Sequence, residues 1–215
     1  MSNLNANSND FDAIVVGSGI SGGWAAKELT EKGLKVALIE RGENTIHGKD
    51  YVGEGKAPWD LPYHGKIPED TLNNEYFIQQ QNYALNQSTK HFFVNDKENP
   101  YKTETDKPFS WIRGYQLGGR SLLWYRQSYR WSEMDFSANK KDGYGVDWPI
   151  RYKDIASWYD YVETFAGISG SKEDLPQLPD GKFLPPMEMN CVELEVKKHI
   201  ENKYPGRKMI IGRCA

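Results

Sequence analysis

The stretch that decides the fold is Phe11–Gly42, FDAIVVGSGISGGWAAKELTEKGLKVALIERG. Phe11–Val16 is short, apolar and rich in branched side chains, which predicts a buried strand. Gly17–Gly23 is a glycine-rich turn. Trp24–Lys32 puts Ala25, Ala26 and Leu29 on one helical face, and Gly33 stands where that helix should end. Lys35–Glu40 predicts a second strand. Strand, turn, helix and strand in this order make a right-handed βαβ unit. The fold class expected is α/β, with a Rossmann-like doubly wound sheet.

Within this unit Gly17-Ser18-Gly19-Ile20-Ser21-Gly22 reads G-x-G-x-x-G. The motif is informative because it follows a strand and opens a helix. Gly17 permits the tight turn, Gly19 lets a backbone approach a pyrophosphate, and Gly22 lets helix and strand pack closely. The helix N-terminus offers unpaired N–H groups to the phosphates. Glu40 ends the second strand about 20 residues on, where a carboxylate accepts hydrogen bonds from the ribose hydroxyls and repels a 2′-phosphate. These features fit FAD and NAD equally. The alternative, a glycine turn in an unrelated α/β protein, is outweighed by having all these parts in order.

Outward from this unit the pattern weakens. Arg41–Pro108 is rich in Gly, Pro, Asn, Asp and aromatics, with short strands expected near Tyr76–Ile78 and His91–Val94; such excursions often cover cofactors. Phe109–Arg130 carries more glycines. Lys153–Phe165 predicts an amphipathic helix whose apolar face is Ile155, Trp158, Tyr159, Val162 and Phe165. Asp174–Pro186 reads as a loop, Val192–Asn202 as a helix and Met209–Gly212 as the start of a strand. The doubly wound sheet is expected to take in Phe11–Glu40, the Phe109–Arg130 segment and that last strand. The expected organisation is a disordered tail at 1–10, then an incomplete nucleotide-binding portion over 11–215. A barely begun strand near Ala215 suggests a fragment.

Composition narrows the function. The net charge of −3, from 27 basic and 30 acidic residues, comes without a basic block, so a nucleic-acid footprint is missing. An apolar run such as Ala13–Val16 is far too short to span a bilayer. Residues 1–10 hold four Asn and two Ser and lack the pattern of a signal peptide. A cytoplasmic location is expected, or a periplasmic one if a partner subunit carries the export signal. Cys191 and Cys214 are far apart, so no metal site is expected. The aromatic content of 13% needs a core, a cofactor or a sugar-like ligand to cover it.

Arg113-Gly114-Tyr115-Gln116-Leu117-Gly118-Gly119-Arg120-Ser121 reads R-G-x-x-L-G-G-x-S. It resembles a signature of the glucose–methanol–choline oxidoreductase family, where this segment lies along the flavin and its pyrophosphate. Ile39-Glu40-Arg41-Gly42 is similar to that family's strand end. Asp147-Trp148-Pro149-Ile150, with Tyr152, Trp158 and Tyr159, resembles its sugar-oxidising branch of pyranose oxidases and gluconate, fructose or glucoside dehydrogenases. The resemblance runs from about Phe11 to Phe165. It implies FAD as cofactor, held by Gly17, Ser18, Gly19, Ile20, Ser21, Gly22, Glu40, Arg41, Arg113, Leu117, Gly118, Gly119, Ser121 and Trp124. Some members attach FAD through a His just before the Trp124 position. Leu123 stands there and cannot form that bond, so the FAD is expected to be non-covalent. Arg120 replaces the usual small residue and faces either phosphate or solvent.

The resemblance further implies oxidation of a CH–OH group of a sugar or other alcohol, with hydride passing to flavin N5. The family's base is a His near the C-terminus. His47, His64, His91 and His199 match no such motif, so no catalytic residue is assigned in this chain. Trp124, Arg126 and Arg130 follow the flavin motif and are candidates for the substrate side; packing and a surface ion pair are the plainer account. The expected partners are a sugar or alcohol substrate and an electron-acceptor subunit, with no nucleic acid and no membrane segment. Two other readings stand: an NAD-linked or flavin disulfide reductase, and a truncated, non-catalytic FAD-binding fragment. The former would normally show Cys-x-x-Cys or a second G-x-G-x-x-G, and neither is present.

Overall fold

The computed structural model describes residues 10–215. The tail expected at 1–10 therefore lies, except for Asp10, outside the described residues. The chain divides into two compact units, one running to Trp124 and one over Tyr125–Ala215.

The first unit opens with β1 (Ala13–Val16), α1 (Ile20–Glu31) and β2 (Val36–Ile39). The strands pair in parallel, with Ala13 opposite Val36 and Val16 opposite Ile39. This is a Rossmann-like βαβ unit, as the apolar pattern requires. α1 begins four residues before the expected Trp24, because Gly19 caps it in extended conformation and the glycines at 22 and 23 are helical. It ends through paired bonds: the Gly33 N–H donates to the Thr30 carbonyl and the Leu34 N–H to the Leu29 carbonyl. Gly33 sits at φ +85°, the left-handed geometry that this termination needs.

The sheet is smaller than expected. Among the described residues it holds two strands. Neither Phe109–Arg130 nor Met209–Gly212 joins it. Gln116 makes one parallel bridge with Glu43, and Cys214 makes single bridges with Gln127 and Ser169 in the second unit. Ile14, Val16, Leu38 and Ile39 are consequently exposed, while Val15 is buried. Branched residues set the strand conformation, but burying them takes further neighbours.

The strands expected near Tyr76–Ile78 and His91–Val94 do not form. α2 (Glu69–Glu75) ends at the first, and a 3-10 turn over Lys90–Phe92 occupies the second. Their aromatics instead build a small core of Tyr76, Ala84 and Phe93, packed by Leu72, Leu85, Ile112 and Leu123. Gln79, fully buried beside it, donates to the Val94 carbonyl at 2.9 Å and to Asp96 at 2.9 Å.

The second unit contains α3 (Glu133–Asp142), α4 (Tyr152–Ala166) and α5 (Cys191–Lys203). The expected helices at Lys153–Phe165 and Val192–Asn202 thus both form. α5 starts on a capping box: the Asn190 side chain accepts from the Val192 and Glu193 N–H groups, and Glu193 accepts from the Asn190 N–H. The apolar face expected of α4 is not a core face. Trp158 and Phe165 are 63% and 60% exposed. What holds α4 is its polar side. Glu163 is buried and takes the Arg130 guanidinium, which also bonds Asp160 at 2.6 Å and the Tyr152 hydroxyl at 3.0 Å.

Candidate functional site: a cleft between two glycine motifs

The βαβ turn and the second glycine motif meet within the first unit. A cleft of about 520 Å³ is lined by Val16, Gly17, Gly19, Ile20, Ser21, Gly22, Arg120, Ser121 and Trp124. Residues a hundred positions apart thus face one space, at the N-terminus of α1.

Each glycine has a local reason. Gly17 turns the chain at φ +90°, and its N–H donates to the Ile39 carbonyl at 2.7 Å. A β-carbon on Gly22 would collide with the Gly17 carbonyl, so α1 can pack on β1 only with glycine there. A β-carbon on Gly19 would find only the Gly118 oxygen, at 4.0 Å, so Gly19 keeps open space rather than relieving a clash. Gly118 and Gly119 lie at φ +92° and +56°, two successive left-handed residues that suit glycine. Ser121 closes this turn by donating its hydroxyl to the Gly118 carbonyl at 2.6 Å. Gly119 comes near Gly19: a β-carbon on it would stand 3.4 Å from the Gly19 α-carbon.

The motifs are bonded as well as adjacent. The Gly118 N–H donates to the Ser18 Oγ at 2.8 Å, and the Ser18 hydroxyl donates to Glu40 Oε2 at 2.6 Å. The Ser18 N–H donates to the same oxygen at 2.7 Å, while Glu40 Oε1 accepts from the Gly42 N–H at 2.8 Å. The Ser18 hydroxyl, then the backbone N–H groups of Ser18 and Gly42, hold the Glu40 carboxyl down at about 2, against an ordinary 4.5. Glu40 therefore stays ionised at any working pH. A carboxylate has about four acceptor positions, so three protein donors leave little room for ribose hydroxyls.

Other residues assigned from sequence lie elsewhere. Arg113 does not line the cleft. It is buried and donates to Asp96 at 2.6 Å, to the Asn99 carbonyl at 2.5 Å and to the Tyr115 hydroxyl at 2.8 Å. Arg41 lies over the Tyr115 ring, 3.6 Å from its centroid. Leu117 is exposed, and its N–H is bonded to the Glu43 carbonyl at 2.9 Å. These three fix the second motif's backbone against residues 41–43 and the Asp96 loop. Leu123 packs in the Tyr76 core rather than in the cleft. Arg130 belongs to the second unit's ion cluster, so packing accounts for it there.

Sequence reasoning missed Val16 as a lining residue and left Arg120 unplaced; Arg120 lines the cleft and donates to the Ile112 carbonyl at 2.9 Å. It also missed the Ser18 bridge. A serine between two motif glycines, 22 residues before a carboxylate, was a partial signal. Nothing local announces its bond to Gly118.

A family model described as an NAD(P)-binding Rossmann-like domain matches residues 15–56. The chain is 24% identical over 186 residues to 2-methyl-1,2-propanediol dehydrogenase of Mycolicibacterium austroafricanum, covering 82% of this chain and 28% of that protein. It is 27% identical over 172 residues to the gluconate 2-dehydrogenase flavoprotein of Pantoea cypripedii, covering 74% and 26%. A shorter match, 43% identical over 63 residues, is to the soluble pyridine nucleotide transhydrogenase of Sodalis glossinidius (strain morsitans), covering 29% of this chain and 11% of that protein. The chain thus spans about a quarter of the length of the first two relatives. The long alignments, unlike the short one, extend well past the size of a single βαβ unit. Those long-matching relatives are glucose–methanol–choline-type oxidoreductases, and over most of its length this chain is similar to them at low identity.

Proposed function

We propose that this chain binds FAD non-covalently in the cleft, as the nucleotide-binding part of an oxidoreductase acting on a CH–OH group of a sugar or other alcohol. The observation that carries this reading is the convergence of Gly17–Gly22 and Arg120–Trp124 on one cleft. A second glycine turn tied to the first motif, with Arg120, Ser121 and Trp124 on the same cleft, is the arrangement the resemblance implies for FAD. The relatives' names include a dehydrogenase of a diol and a flavoprotein acting on gluconate.

The residues fit the group. The open space at Gly19 leaves room for a pyrophosphate, and the first N–H groups of α1 face it. Arg120 brings a cation to the lining, Ser121 keeps the second turn closed, and Trp124 offers an aromatic wall. Glu40 orients the βα turn and supplies fixed negative charge at the ribose end. When bound, FAD would supply the acceptor for the substrate's hydride. No side chain in this chain is assigned as the base. One relative is named the large subunit of fructose dehydrogenase, which supports an electron-acceptor subunit as partner. Among the described residues no helix is long and apolar enough to cross a membrane.

The test is the visible spectrum of the purified protein, before and after denaturation. The expected result is a flavin band that leaves with the supernatant on unfolding. Flavin that stays with the precipitate would overturn the non-covalent reading. Protein that takes up NADH but no FAD would favour the nicotinamide alternative.

A further inference from the structure

We propose that Ser18 is a positioning residue that couples the second glycine loop to the ribose-end carboxylate. Its hydroxyl accepts from the Gly118 N–H and donates to Glu40, so one side chain behind the cleft ties the second glycine loop to the βα turn and the end of β2. The inference rests on the FAD reading above and adds a role that no motif rule gives this position.

The geometry is restrictive. A serine hydroxyl has one proton. With that proton on Glu40 Oε2 at 2.6 Å, the oxygen's lone pairs are left for the Gly118 N–H at 2.8 Å. The direction of the relay is therefore fixed: Gly118 donates to Ser18, and Ser18 donates to Glu40. A charged terminus strengthens both bonds. The Gly118 amide belongs to a left-handed glycine whose neighbour Gly119 passes close to Gly19. Moving that amide would shift the loop toward or away from the space over Gly19. Ser18 is also the largest single cause of Glu40's acidity. Occupancy of the cleft, placement of Gly118–Ser121 and the ionisation of Glu40 should then respond together when the hydroxyl is removed.

The experiment compares wild type, Ser18→Ala and Ser18→Thr. Amide exchange is measured without cofactor, and FAD binding is followed by flavin fluorescence across pH 3–8. In Ser18→Ala the Gly118 amide should exchange about tenfold faster, the size of one lost hydrogen bond. The Val94 amide, bonded to the Arg113 carbonyl, should be unchanged and so reports an intact fold. FAD affinity should fall by about tenfold, with its acid limb moved up toward the ordinary carboxylate range. Ser18→Thr keeps a hydroxyl and should restore both. Unchanged Gly118 exchange in Ser18→Ala would overturn the coupling. So would faster exchange with FAD affinity and acid limb unaltered. A wild-type protein that takes up no FAD would instead overturn the FAD reading, whatever the exchange shows.

Discussion

Gly42 lies directly beneath the backbone of Tyr115: a β-carbon on Gly42 would collide with the Tyr115 carbonyl and crowd the Gln116 nitrogen. The contact continues as the Glu43–Gln116 bridge, the bond from the Leu117 N–H to the Glu43 carbonyl, and Arg41 stacked on the Tyr115 ring. One glycine thus lets the second motif run past the end of β2. Gly42→Ala should cost about 1–3 kcal/mol of stability, as forced overpacking does, and should weaken FAD binding. Gly23→Ala is the matched control. Its β-carbon would meet the Ser18 backbone carbonyl oxygen at 3.9 Å, an ordinary contact, and alanine favours a helix interior by about 0.5–1 kcal/mol. Urea midpoints of the two variants check this. Equal midpoints would remove the close approach as a constraint.

Gly19→Val tests the cleft without testing the fold. Space is open at Gly19 apart from the distant Gly118 oxygen, so a valine can be housed there when the cleft holds no ligand. It would then occupy the volume a pyrophosphate needs. The expected variant is soluble, melts near wild type and purifies colourless. A yellow variant would show that the phosphates lie elsewhere.

Glu40 gives acid stability a predictable form. Its folded value of about 2 lies below its ordinary 4.5, because the Ser18 hydroxyl and backbone N–H groups bond the ionised form. A depressed carboxylate contributes stability that is complete above about 4.5 and is lost as pH falls through about 2. Glu40→Gln cannot titrate. Its stability should therefore fall less steeply than wild type between pH 4.5 and 3, in denaturant titrations at fixed ionic strength. Parallel curves would mean that Glu40 is not bonded as described.

Arg130 is the anchor of the second unit. It donates from Nε to Glu163 at 2.8 Å and pairs with both Glu163 and Asp160 while itself buried. A β-carbon on Gly181 would strike this cluster, so the loop packs down on it. Arg130→Ala leaves a buried Glu163 carboxylate unmatched and should cost about 3–5 kcal/mol. Arg130→Lys should recover little, since an ammonium lacks the planar fork. Thermal unfolding of both variants reads this out. A near-neutral Arg130→Ala would show that the cluster contributes no net stability.

The sequence by itself determined the βαβ unit and the identity of both glycine motifs. Those features are local: branched residues favour strands, and Gly17 and Gly33 take left-handed conformations. Residue types alone also marked Leu123 as unable to bond a flavin. Only the tertiary structure decided which motif residues share a cleft. Arg113 and Arg120 lie in the same nine-residue motif, yet one is buried on Asp96 and the other lines the space over α1. Only the fold showed that Trp158 faces outward while Glu163 faces inward, reversing what amphipathic spacing predicts for α4. The inward face of α4 carries the carboxylates that pair with the buried Arg130 guanidinium. Glu40 was legible as a carboxylate at a strand end. Its bond through Ser18 to Gly118 was not, because a hydrogen bond is a statement about distance in space, and 100 residues of chain separate its ends.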